Sequence, residues 1–154
     1  MGLENLISSR KGKESFFGRT PLSPLGLSVR IGSQMENILL AMLKAEKDPA
    51  SQIGQVMVKN AEAYGAPGLG TMDLMKFLKG KLAFDAKGKH RHPVRRSYWR
   101  SLKTLVRYGF IRVALKKSPG KHGYLYRLTP EGRRKAEEAW AKVSMFINEY
   151  SKLV

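Results

Sequence analysis

Arg96, Arg100, Lys103 and Arg107 recur at spacings of four, three and four. On a helix turning by about 100° per residue they fall within about 60° of one another. The chemistry open to such a row is binding rather than bond-making. Guanidinium and ammonium groups donate charge-assisted hydrogen bonds to phosphate oxygens, and an Arg fork can also bond both acceptors on a guanine edge. No acid interrupts the row between Pro93 and Tyr108, whereas a solvated helix face ordinarily mixes Glu with Lys. Uncompensated cations in line cost roughly a few tenths of a kcal/mol per close pair, so contact with a polyanion is the expected role. The row belongs to a larger excess. Fifteen Lys and Arg lie between Lys76 and Lys121 against one acid, Asp85, which gives that segment +14 of the chain's formal +17. Charge needed only for solubility would be spread, because concentrated like charge raises self-repulsion.

Other chemistry finds no support. The chain has no cysteine, which removes disulfides, thiolate metal sites and thiol nucleophiles together and fits a reducing interior. His90, His92 and His122 lie among cations, which oppose the binding of a further cation. Gly65-Ala66-Pro67-Gly68-Leu69-Gly70 superficially resembles a phosphate loop, but no Gly-Lys-Ser/Thr follows and no strand precedes it. A structural break is expected there. No catalytic constellation, metal site or cofactor is expected, and the chain is read as a non-enzyme.

The elements that must position the cations follow from periodicity and punctuation. Residues 1–32 show no period of 2 or 3.6 and read as a basic, partly disordered arm whose Arg10, Lys11, Lys13 and Arg19 either touch phosphates or are solvated. Ser33-Gln34-Met35-Glu36 fits a capping box, followed by Met35, Ile38, Leu39, Met42 and Leu43 on one helical face. A second helix is predicted over Gln52–Tyr64 with Ile53, Val56, Met57 and Tyr64 inward, and a short third from Met72 to about Lys79 capped by Thr71. A basic loop at 80–92 leads to the charged helix, predicted over Pro93–Tyr108 with Val94, Tyr98, Leu102 and Leu105 opposite the cations and Trp99 at the edge of the core. Gly109 ends it. The period then becomes 2 through Ile111, Val113 and Leu115, turns at residues 118–123 and returns through Tyr124, Tyr126 and Leu128, a hairpin with a basic tip. A last helix starts with Thr129 as cap and Pro130. Its Ala136, Trp140, Val143, Ile147, Tyr150 and Val154 form a heptad seam widened by Phe146.

Leu102-Lys103-Thr104-Leu105-Val106-Arg107-Tyr108-Gly109-Phe110-Ile111 and Tyr126-Arg127-Leu128-Thr129-Pro130-Glu131-Gly132 resemble the junctions around the wing in winged-helix regulators of the MarR and PadR groups. The resemblance covers roughly residues 71–140. It implies a winged helix-turn-helix fold, mainly α with a small β-hairpin wing, and a DNA-binding role. The loop at 80–92 is longer than the tight turn expected between the two helices of that motif.

The expected organisation is an arm at 1–32, a winged-helix domain at 33–135 and a C-terminal helix at 136–154 whose seam either packs back on the chain's own core or, the favoured reading, serves as a dimer contact. The expected function is that of a homodimeric transcriptional regulator of double-stranded DNA, cytoplasmic and associated with the nucleoid. Arg95, Arg96, Arg100, Lys103 and Arg107 would enter the major groove. Lys116, Lys117 and Lys121 would hold the adjacent backbone or minor groove, and Lys81, Lys87, Lys89 and Arg91 would add phosphate contacts. RNA or ribosome binding, an architectural or plasmid-maintenance role, and docking of the wing on an acidic protein stay open beside it. The longest apolar run, Ile38 to Leu43, is too short to span a bilayer, so no membrane partner is expected.

Overall fold

The apolar row Ile38, Leu39, Met42 and Leu43 is buried and makes α1 (Ser33–Lys47) the hub of the fold. The structure is a computed structural model that describes residues 31–116 and 123–153. After α1 come α2 (Gln52–Tyr64), α3 (Thr71–Lys79), α4 (His92–Arg107), β1 (Ile111–Lys116), β2 (Tyr124–Leu128) and α5 (Pro130–Leu153). The architecture is thus mainly helical with one antiparallel hairpin. α1 packs against each of the other four helices and against β2.

Helix starts differ from expectation in a consistent way. Ser33 and Thr71 are the first helical residues, and Gly32 and Gly70 occupy the cap positions. No capping box forms at Ser33. At α3 the Asp73 carboxylate accepts the Gly70 N–H at 2.9 Å and so closes the helix start. The side-chain amide of Asn60, buried in α2, donates to the same carboxylate at 3.1 Å and to the Gly68 carbonyl at 2.8 Å. Tyr64, expected inward, is exposed, so Asn60 supplies the inner contact of that turn.

The glycine-rich break serves packing. Leu69 exchanges backbone hydrogen bonds with Tyr126 on the outer edge of β2, at 3.0 and 2.9 Å. A Cβ on Gly68 would crowd Leu125 and the Tyr126 carbonyl. In the hairpin the register runs Ile111↔Leu128, Arg112↔Arg127 and Val113↔Tyr126, then shifts to Leu115↔Leu125. This bulge adds one residue to β1 and breaks the simple alternation. Leu125, Tyr126 and Leu128 are all buried, while Val113 and Tyr124 are partly exposed.

One junction ties three elements together. α4 ends at Gly109, whose φ of 80° is cheap only for glycine, and the Phe110 N–H returns to the Leu105 carbonyl at 3.0 Å. The Thr129 hydroxyl donates to the Gly109 carbonyl and accepts the Gly132 N–H at 3.0 Å, so it caps α5 while gripping the end of α4. α5 then crosses α1, where Arg133 bonds Glu46 at 2.9 Å and Lys47 meets Glu137 at 3.1 Å. The C-terminal segment expected from residue 136 is the outer part of this one continuous helix.

Candidate nucleic-acid interface

α4 is held on its inner side and free on its outer side. Tyr98, Leu102 and Leu105 are buried, Val94 is half-buried, and burial pushes the Tyr98 phenol above its ordinary value, keeping it neutral. On one flank the Gln34 side-chain amide donates to the hydroxyls of Ser97 (3.0 Å) and Ser101 (2.9 Å), which fixes the rotation of α4 against the start of α1. Arg95, Arg96, Arg100, Lys103 and Arg107 are all exposed, so the row read from the sequence lies on the outer face. Among the described residues, ion pairs occur only where α1, α5 and Asp48 supply the partners. None of the α4 cations takes part in one.

Trp99 sits in this exposed sector with 47% of its surface accessible, more open than the edge-of-core position expected of it. The Lys103 ammonium lies 4.6 Å from its ring centroid. A cation over an indole face is worth about 0.5–1 kcal/mol at an exposed site, enough to orient the lysine yet small beside a phosphate contact.

The segment before α4 is an ordered small hairpin. Gly80–Ala83 forms a 3-10 turn, and Phe84 bridges to His90. Asp85, the one acid of the basic segment, accepts the backbone N–H groups of Lys87 and Lys89, each at 2.9 Å, so its charge is spent inside the turn. Lys81, Lys87, Lys89 and Arg91 are exposed. Arg91 also has a structural task, because its Nε donates to the Phe84 carbonyl at 3.0 Å. His90 and His92 meet edge to face with ring centroids 5.2 Å apart.

On the hairpin, Lys116 is exposed with its ammonium 5.5 Å from the Tyr124 ring. Lys117, Lys121 and His122 lie outside the described residues, as do the basic residues of the arm. Arg112 is exposed and directly opposite Arg127. Two like charges paired across strands are unfavourable by themselves, which makes Arg112 a further candidate for an anion. Its signal in the sequence was its place inside the +14 segment, outward of the apolar positions of β1. The loop enters α4 at its first turn and β1 leaves at its last, so these cations bracket the helical row at both ends.

No protein-family model matches the sequence, and no curated protein matches it either.

Proposed function

We propose that this chain is a DNA-binding protein of the winged-helix type, a homodimeric transcriptional regulator that sets α4 into the major groove and lays the β1–β2 hairpin along the adjacent backbone. The observation that carries the reading is the acid-free outer face of α4, with Arg96, Arg100, Lys103 and Arg107 opposite a buried apolar face and without an ion-pair partner among the described residues. The element order α3, α4, β1, β2, with Leu69 bridged to β2, supports the winged-helix form. Arg96, Arg100 and Lys103 are the candidates for base edges. Lys81, Lys87, Lys89 and Lys116 position the duplex without reading it. Palindromic sites are read by two-fold symmetric proteins, and the outer half of α5 is the surface open for pairing.

Duplex affinity measured against salt tests the reading. A pair of copies neutralising about six to ten phosphates gives a slope of log K on log[salt] of roughly −5 to −9. A slope shallower than about −2 would show that the basic segment is not the contact surface. Selection from random duplex DNA then separates a regulator, which enriches a palindromic motif, from an architectural protein, which enriches none. The exposed Trp99 ring favours one second reading, RNA binding, because unpaired bases stack on aromatic side chains. Tighter binding to single-stranded RNA than to duplex DNA at equal salt would decide for it.

A further inference from the structure

From Trp140 to the end of α5, an apolar strip stands uncovered. Trp140 is 53% exposed, Phe146 71%, Ile147 50% and Tyr150 58%, with Val143 between them. These residues share one face, since they follow at spacings of three and four. Leaving such a strip in water is costly, and contiguous exposed apolar surface marks an interaction site. Its neighbours are informative about the occupant. Ser144 and Ser151 flank the strip on one side without charge, and beyond Phe146 on the other side Lys142 and Glu149 carry opposite charges that cancel. No net charge there attracts a nucleic acid or an acidic peptide, whereas an equally neutral strip fits.

We infer that the occupant is the same strip of a second copy, running antiparallel, with the two-fold axis near residue 145. Three observations set the direction. First, the order Trp140, Val143, Ile147, Tyr150 is nearly palindromic in size: aromatic, β-branched, β-branched, aromatic. An antiparallel pair centred at 145 stacks Trp140 on Tyr150 of the second copy and Val143 on its Ile147, so every layer combines like sizes. Second, each copy carries +14 between residues 76 and 121. Parallel helices about 8–10 Å apart would press two such bodies together at one end. Antiparallel helices place them at opposite ends of the overlap, roughly 20 Å apart along the axis for the fourteen residues 140–153. Third, antiparallel helix dipoles attract, and parallel ones repel. The strip would bury on the order of 500 Å² per copy given the size of its side chains. That total near 1,000 Å² lies at the lower edge of stable interfaces, so the pair is a reversible one.

The inference rests on pairing through α5 and is independent of what α4 binds. The chain has no cysteine, so single cysteines report cleanly, and Ser144→Cys and Ser151→Cys are close to isosteric. In an antiparallel pair, each flank meets the same flank of the other copy. The two Ser144 positions then lie about 3 Å apart along the axis and the two Ser151 positions about 18 Å apart. With a two-carbon bismaleimide, S144C is expected to give covalent dimers and S151C none. In a parallel pair this flank faces the opposite one, so a dimer in sedimentation that neither variant captures overturns the orientation. Capture of both variants equally overturns it as well. A wild-type chain that stays monomeric at tens of micromolar, with S144C uncaptured, overturns the pairing altogether. Duplex binding measured on the same samples reports separately on α4, so loss of one conclusion leaves the other standing.

Discussion

A methyl group on Gly132 would fall far inside van der Waals contact with the Phe110 carbonyl oxygen, which is backbone and cannot swing aside. Gly132 lies in the first turn of α5, where alanine would otherwise gain about 1 kcal/mol in helix propensity. Overpacking against a fixed neighbour costs typically 1–3 kcal/mol and sometimes more, ~2 kcal/mol net here once propensity is deducted. Gly132→Ala is therefore expected to lower stability by about that amount, against the usual direction of Gly→Ala in a helix. Urea unfolding of the two proteins measures it, and a gain in stability would mean that α5 does not start against Phe110. Thr129 works at the same point from the other side, since one hydroxyl both caps α5 and holds the Gly109 carbonyl. The Thr-Pro-Glu-Gly sequence thus has a mechanical meaning in this chain: it joins α5 to the end of α4.

At the scale of elements, the 80–92 segment sets two effects against each other. Asp85 puts a negative charge among the cations, yet its carboxylate holds the turn that presents Lys87 and Lys89. Asp85→Asn removes the charge and keeps an acceptor, so affinity for duplex DNA is expected to rise. Asp85→Ala removes both, and two hydrogen bonds worth about 0.5–1.5 kcal/mol each then no longer hold the turn. Its affinity is expected to fall below that of the Asn variant, by roughly five- to hundredfold if the turn must be ordered again on binding. Equal affinities in a titration of both variants would mean that the lysines act by charge alone. What the sequence disclosed follows the same division between local and distant causes. α2 has the predicted bounds and α4 is displaced by one residue, because periodicity, Pro93 and Gly109 are local signals. The cationic row and its buried opposite face were legible for that reason too. The hairpin's inward set was not, since the bulge after Val113 and the Leu69–Tyr126 bridge depend on residues far apart in sequence. The order in the loop was hidden as well, because it depends on how a single carboxylate folds back on the backbone.

For the whole molecule the uneven charge has two opposed consequences. The ion pairs among described residues gather on α1 and α5, and none of the described cations of the +14 segment joins one. Added salt screens that self-repulsion, so the free protein is expected to become more stable as salt rises, by about 1 kcal/mol for a row of like charges on one helix. Over the same range duplex affinity falls. Thermal melts at low and moderate salt, without DNA, measure the first effect, and a melting temperature that drops with salt would mean that the segment is neutralised within the fold. The continuous α5 has a further consequence, one of mechanics. Beyond the buried Ala139, where its packing on α1 ends, α5 runs on as a free arm, and Tyr150 stands about 17 Å further along the helix axis. A bend of about 10° there sweeps Tyr150 through about 3 Å by that lever arm. A spectroscopic reporter on the outer end of α5 would therefore magnify adjustments where α5 leaves α1 that are too small to follow where they originate.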